Sequence, residues 1–260
     1  ITETSIGQLF IGGVVPGIIM MSLFTFYVML SRPRVMVTHS ISLEERMAIT
    51  RRSLGVVLLP VVIIVAIYTG VFTPTEVGAL SVLYVCALGF AQKKLSFADL
   101  KAAAVVATGA TTMLFMLIVF GQYFAHFLTF EQVPQAIAAA IIENASGIWA
   151  ITLMIMAYIV LGMFLESAAM LLISIPIFFP VAEQLGMDPI VFGIFAAISM
   201  EIAQISPPIG VNLFTIHGIS KIDLWKLARG ALPFLLIQIG MLYLVYLVPE
   251  IVLWLPNSMK

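Results

Sequence analysis

Apolar residues dominate this chain in long runs that short polar connections separate. Five runs approach the length that a membrane-spanning helix needs, about 20 apolar residues for a hydrocarbon core of about 30 Å. They cover residues 7–30, 54–69, 78–92, 102–128 and 231–248. The pattern therefore predicts an all-α polytopic membrane protein with the lipid bilayer as its main solvent.

Composition supports this prediction. Of the 260 residues, 62% are hydrophobic and only 10% are charged, which is too little charge to cover the surface of a soluble domain. This excludes an ordinary soluble enzyme and a nucleic-acid-binding protein.

The positions of the basic residues predict the orientation in the membrane. Eleven of the twelve fall in three connections: Arg32, Arg34, Arg46, Arg51 and Arg52; Lys93, Lys94 and Lys101; Lys221, Lys226 and Arg229. The other connections are acidic. Because cytoplasmic loops carry an excess of Lys and Arg, we place the three basic connections in the cytoplasm. The C-terminus is then expected on the outer side of the membrane.

An even number of crossings must lie between Lys101 and Lys221. Four full crossings satisfy this condition, and so do two crossings plus a re-entrant hairpin that enters from outside. The run 148–162 is short for a span, and the turn 163–167 has no basic residue. We therefore favour a hairpin whose turn lies within the membrane, where irregular backbone must be buried or face a cavity.

A second irregular point is expected at Pro207-Pro208. Neither proline has an N–H, and each clashes with the preceding helical turn, so a helix starting at Pro189 should break around Ser206–Gly210. The chain then divides into 1–50, a span with a cytoplasmic connection; 51–130, further spans; 131–147, an outer interfacial helix; 148–220, a region with the hairpin 148–185 and the broken helix 189–218; and 221–260, a final span.

Several polar clusters are typical of helix caps. Thr73-Pro74-Thr75-Glu76 has the spacing of a capping box. The pairs Ser42–Glu45, Ser96–Asp99 and Ser220–Asp223 have the same spacing, and Asp188 precedes Pro189 as an N-cap. These residues are expected to start helices rather than to bind ligands.

A hairpin turn and a broken helix at one depth are typical of secondary transporter sites. Carbonyls freed at a break can coordinate Na⁺, and the N–H groups of a half-helix can hold a carboxylate. The hydroxyls and amide of Ser167, Ser206 and Asn212 add neutral oxygens. Two other functions stay open: a membrane scaffold that transports nothing, and an intramembrane enzyme using Glu166 and Glu201 as an acid pair.

The motifs around these sites resemble those of one transporter family. They are Gly70-Val71-Phe72-Thr73-Pro74-Thr75-Glu76-Val77-Gly78-Ala79-Leu80, then Gly162–Glu166, Ser206-Pro207-Pro208-Ile209-Gly210-Val211-Asn212-Leu213-Phe214, and Leu232-Pro233-Phe234 through Trp254-Leu255-Pro256. Together they resemble the large membrane subunit of tripartite ATP-independent periplasmic (TRAP) transporters. Ser206 stands where that family more often has Thr.

This resemblance implies a fold of two inverted repeats, of which the chain looks like the C-terminal half or so. Residues 1–50 would then hold the last span of the first repeat, 51–130 the scaffold-type spans of the second, and 148–220 its transport-type region. It implies an elevator-type, Na⁺-coupled importer of small carboxylates, such as sialic acid or C4-dicarboxylates, in the bacterial inner membrane. The implied partners are a small membrane subunit and a periplasmic substrate-binding protein.

The resemblance also implies a site. By the family's pattern, the hairpin tip maps to Gly162–Ser167 and the helix break to Ser206–Asn212. Together they would form one Na⁺ site and half of the substrate pocket. The expected Na⁺ ligands are Gly162, Glu166, Ser206, Pro207, Gly210 and Asn212, and the expected substrate ligands are Ser167, Ser206 and Asn212.

Overall fold

The described part of the chain consists of α-helices joined by short connections. The computed structural model describes residues 4–31, 42–144, 147–165, 167–207 and 210–258. Within these ranges there is no strand, and the helices are α1 Ile6–Gly12, α2 Val14–Ser31, α3 Leu43–Tyr68, α4 Pro74–Ala91, α5 Phe97–Phe130, α6 Val133–Asn144, α7 Gly147–Gly162, α8 Ser167–Gln184, α9 Pro189–Ile205, α10 Val211–Ser220, α11 Leu224–Leu247 and α12 Glu250–Asn257.

Five described segments are long and apolar enough to cross a membrane: Ile6–Ser31, Pro74–Ala91, Phe97–Phe130, Ser167–Gln184 and Leu224–Leu247. The prediction of an all-α polytopic membrane protein is confirmed. Four of the five predicted runs coincide with one of these segments. The fifth, 54–69, lies in α3, whose apolar part Val57–Tyr68 is among the shorter helices.

The chain forms two compact units, of which the smaller covers residues 28–111. Helices α3 and α4 pack against each other in this unit. The Tyr84 hydroxyl on α4 donates to the carbonyl of Gly55 on α3 at 2.8 Å. A Cβ at Gly55 would lie 3.3 Å from the Leu88 side chain, so a glycine lets the two helices approach closely.

Four predicted helix starts are confirmed. Thr73 accepts from the backbone N–H of Glu76, and the Glu76 carboxylate accepts from the N–H of Thr73, which completes the capping box of α4. The other three caps are Ser42 at α3, the reciprocal pair Ser96 and Asp99 at α5, and Asp188 at α9.

One predicted helix start was wrong. Asp223 itself caps α11, accepting from the N–H groups of Trp225 and Lys226, whereas Ser220 is the last residue of α10. The Ser220 hydroxyl donates to the carbonyl of Ile216 in the preceding turn. In α6, Pro134 is the second residue and does not interrupt the helix. There its missing N–H has no helical acceptor to lose.

We expect Thr73→Ala to lower the free energy of unfolding by about 0.5–2 kcal/mol, because the first turn of α4 would lose its side-chain acceptor. Thermal unfolding of the purified protein in detergent measures this loss. Thr69→Ala is the control, since the Thr69 hydroxyl donates to Val65 within its own helix end and caps no helix start. Equal stability of the two variants would contradict the capping role.

The larger unit, residues 1–27 and 112–260, is organised around α9. This helix contacts α1, α7, α8, α10, α11 and α12. Nine of its residues are buried, and four of them are among the largest fully buried side chains: Val191, Phe192, Phe195 and Ile202. The apolar faces of the surrounding helices converge on α9, so it holds the core together.

Candidate functional site

The break after α9 occurs where the proline pair predicts it. Helix α9 ends at Ile205, and Ser206 leaves the helix with φ −79° and ψ 125°. Gly210 then caps α10, which begins at Val211. Pro208 and Ile209 lie outside the described residues. The chain therefore presents two consecutive half-helices, joined through Ser206 and Gly210.

The prolines free two carbonyls at the end of α9. In a continuous helix the carbonyls of Ala203 and Gln204 would accept from residues 207 and 208, but both are proline and have no N–H. Among the described residues, the Ala203 carbonyl accepts instead from the N–H of Ser206, at 3.4 Å. The negative end of α9 thus has backbone oxygens available for a cation.

Gly210 closes the break tightly. Its N–H donates to the Ser206 carbonyl at 3.0 Å, and its own carbonyl accepts from Leu213 at 2.9 Å and Phe214 at 3.2 Å. A Cβ on Gly210 would lie 2.7 Å from the Gln204 carbonyl oxygen and 3.0 Å from that of Ser206. Glycine is therefore required here by close approach of backbone to backbone.

Helices α7 and α8 form a hairpin around the turn Met163–Leu165. The turn's N–H groups donate back into α7: Met163 to Ile159, and both Phe164 and Leu165 to Leu161. None of these three donates to the carbonyl of Gly162, the last residue of α7. Glu166 lies outside the described residues, and Ser167 begins α8.

The hairpin tip and the break are brought together at Gly162. A Cβ on this glycine would overlap the Cβ of Ala203 and lie 2.9 Å from its Cα. Ala203 stands one turn before Ser206, which is itself buried. Within the described residues the join between tip and break therefore runs through Gly162 and Ala203. Ser167 at the start of α8 and Asn212 in the first turn of α10 are both half-buried.

Helix α8 runs parallel to the second half of α5. A cavity of about 230 Å³ lies between Leu117 on α5 and Ala169 on α8. A second cavity, of about 330 Å³, lies further along both helices, between His126 and Pro180. Leu117 stands about 13 residues before the end of α5, or about 20 Å along its axis. The hairpin tip therefore lies beside the interior of α5, about 20 Å from the C-terminal end of that helix.

The other end of the hairpin is attached to α11. The hydroxyls of Thr152 on α7 and Tyr243 on α11 lie 2.8 Å apart. One turn further along α11, the Tyr246 hydroxyl occupies the space that a Cβ on Gly147 would need. The first arm of the hairpin is thus fixed near its start by α11 and at its tip by α9.

Sequence reasoning missed two residues of this site, Ala203 and Gln204. Their carbonyls are the freed ones, and Ala203 contacts Gly162. The signal was available, because each stands four residues before a proline. Glu201, one carboxylate of the acid-pair alternative, lies on an exposed face of α9.

The described residues offer no group of three or more His, Cys, Asp or Glu side chains that could hold a metal ion. The oxygens that the described part of the break offers are neutral, namely backbone carbonyls and the Ser206 hydroxyl.

These features define a polytopic helical membrane protein in which a helical hairpin packs against an interrupted helix. The sequence model of a protein family, described as the tripartite ATP-independent periplasmic transporter, DctM component, matches residues 1–251 of this chain. The chain belongs to this family. Its members are transporter components rather than enzymes, which excludes the acid-pair hypothesis for Glu166 and Glu201.

Curated relatives agree with this assignment. The chain is 37% identical to the C4-dicarboxylate TRAP transporter large permease protein DctM of Pseudomonas aeruginosa, over 98% of this chain and 61% of that protein. It is 34% identical to the ectoine permease TeaC of Halomonas elongata, over 98% and 61%. It is 32% identical to the sialic acid permease SiaM of Vibrio cholerae, over 99% and 61%. The chain thus spans about three fifths of the length of these relatives.

Proposed function

We propose that this chain contributes the second half of the transport pathway in a Na⁺-coupled TRAP transporter that imports a small carboxylate. The observation that carries the proposal is the contact of Gly162 on Ala203, which sets the hairpin tip beside the freed carbonyls of the break. The relatives are named for C4-dicarboxylate, ectoine and sialic acid transport. All three compounds carry a carboxylate, and this supports the substrate class.

The proposed Na⁺ site lies between the hairpin tip and the end of α9. The freed Gln204 carbonyl, the buried Ser206 hydroxyl and the Gly162 carbonyl supply oxygens there, in the negative field of the α9 C-terminus. Glu166, Pro207, Gly210 and Asn212 remain expected ligands. The Gly210 carbonyl already accepts two N–H groups, so we rank the Gln204 carbonyl above it.

The proposed substrate site uses the start of α10. The first N–H groups of a helix attract a carboxylate, and Ser167, Ser206 and Asn212 provide side-chain partners. No Lys or Arg occurs between residues 102 and 220. Helix dipoles, bound Na⁺ or residues of the transporter outside this chain would therefore balance the substrate's negative charge.

We further propose that segment 148–185 is a re-entrant hairpin in the bacterial inner membrane. The level of its tip, about 20 Å inside the end of α5, supports this placement. The basic connections would then be cytoplasmic and the C-terminus periplasmic. In the whole transporter, region 148–220 would move as an elevator against the scaffold-type spans, with a small membrane subunit and a periplasmic binding protein as partners.

The test is uptake into proteoliposomes that contain the complete large subunit and the small subunit. Radiolabelled C4-dicarboxylate, ectoine and sialic acid are offered in turn, each with its binding protein. We expect uptake of one of them to require both the binding protein and an inward Na⁺ gradient. Uptake that continues unchanged when K⁺ replaces Na⁺ would disprove the coupling.

We expect Ser206→Ala and Asn212→Ala each to raise the Na⁺ concentration for half-maximal uptake by about 2- to 13-fold, the equivalent of one lost polar contact. Titration of uptake against Na⁺ measures this shift. Ser22→Ala is the matched control, since the exposed Ser22 hydroxyl only donates to Ile18 in its own helix. An unshifted Na⁺ dependence in both site variants would refute their role as ligands.

A further inference from the structure

A cluster of buried hydroxyl groups lies behind the hairpin tip, in the interface between the hairpin and α9. It consists of Tyr158 on α7, Ser174 on α8 and Ser199 on α9, each no more than 1% exposed. Within the described part of the chain, no hydrogen bond of ordinary length reaches the Tyr158 or the Ser199 hydroxyl, and the Ser174 hydroxyl lies close enough to that of Tyr158 to interact with it. Two hydroxyls without an ordinary hydrogen bond in an apolar core need an explanation.

The helical period places Ser199 on the face of α9 that contacts the hairpin. Phe195, four residues before it, packs its ring 6.4 Å from that of Tyr158. Ala203, four residues after it, contacts Gly162. Residues four apart lie on one helix face, so Ser199 faces α7 between Tyr158 and Gly162.

Ser174 completes the cluster from the second arm. It stands one turn before Phe178, whose ring packs 5.2 Å from that of Tyr158. The Ser174 hydroxyl makes one long hydrogen bond of 3.5 Å, to the Leu171 carbonyl. All three helices therefore direct a weakly bonded or unbonded hydroxyl into the same interface.

The behaviour of Ser199 is unusual among the helical serines of this protein. Ser22, Ser81 and Ser220 each donate to the carbonyl four residues earlier, at 2.7–2.8 Å. This bond is the ordinary way to satisfy a serine within a helix. Ser199 does not make it, so its hydroxyl is available to a partner outside its own helix.

We propose that these three hydroxyls bind an ordered water molecule, which links both arms of the hairpin to α9. A buried water typically bonds two to four polar groups, and the cluster offers three. A cation is a poorer occupant, because neutral hydroxyls alone do not offset its loss of hydration. The site is separate from the Na⁺ ligands proposed above and does not depend on the transported substrate.

The direct test is a density map of the complete transporter, fine enough to show ordered water. We expect a peak within about 3 Å of the Ser199 and Tyr158 hydroxyl oxygens. The peak should disappear in the double variant Ser199→Ala/Tyr158→Phe. A wild-type map of that quality with no peak at this place overturns the proposal.

Thermal unfolding provides a second test, because a hydroxyl bonded to water and an unpaired hydroxyl predict opposite changes in the melting temperature. If water satisfies the cluster, Ser199→Ala removes one of its partners and lowers the melting temperature by a few degrees, whereas the control Ser22→Ala leaves it nearly unchanged. If the hydroxyl has no partner, its removal relieves an unsatisfied polar group and raises the melting temperature. A rise in Ser199→Ala therefore overturns the proposal as well.

Discussion

We expect Gly162→Ala to force the hairpin tip away from α9 and to abolish transport. The added methyl would overlap the Cβ of Ala203 and lie 2.9 Å from its Cα. These atoms belong to the helix itself, so no side-chain rotation relieves the clash. Overpacking of this kind costs about 1–3 kcal/mol, and the displaced tip would carry its oxygens away from the freed carbonyls.

A second substitution in the partner helix tests whether the contact itself is responsible. In Gly162→Ala/Ala203→Gly the methyl moves from one helix to the other, so we expect part of the lost stability and uptake to return. Gly240→Ala is the control, because a Cβ there meets nothing within 4 Å. Thermal unfolding and uptake are measured for all three. Wild-type behaviour of Gly162→Ala would disprove the close contact between tip and α9.

We expect Gly210→Ala to open the break and to lower both stability and uptake strongly. The new Cβ would lie 2.7 Å from the Gln204 carbonyl oxygen and 3.0 Å from that of Ser206. Both are backbone atoms, so the chain between α9 and α10 would have to move. The oxygens that would move are those of the proposed cation site, and Na⁺ affinity should fall along with stability.

Gly218→Ala provides the matched control for this substitution. Gly218 lies in α10, the helix that Gly210 caps, and a Cβ there meets nothing within 4 Å. Alanine favours a helix over glycine by up to about 1 kcal/mol, so this variant should be at least as stable as the wild type. If Gly210→Ala behaved like Gly218→Ala in unfolding and in Na⁺ titration, the tight closure of the break would be wrong.

The sequence allowed prediction of features that depend on neighbouring residues. The proline pair located the break because it removes two specific hydrogen bonds, and Thr73 with Glu76 located the start of α4 because the capping box closes over four residues. Ser220 and Asp223 show that this spacing alone does not identify the capping residue. Either residue of such a pair can be the N-cap, and Asp223 caps α11 because it directly precedes the first residue of that helix.

Features that depend on packing between distant residues could not be predicted. The contact of Gly162 with Ala203 joins positions about 40 residues apart, and neither residue is polar. Glu201 was considered only as one carboxylate of the acid-pair hypothesis. Its position on the exposed face of α9 follows from which sides of that helix the neighbouring helices cover. Hydropathy alone does not give this information.

The length of α9 controls where the break lies. Seventeen residues separate the Asp188 cap from Ser206. Each residue of an α-helix adds about 1.5 Å of rise and about 100° of rotation. One residue more or less in α9 would turn Ser206 away from the hairpin while hardly changing its depth. In this fold the direction in which the site faces is thus more sensitive to helix length than its depth in the membrane.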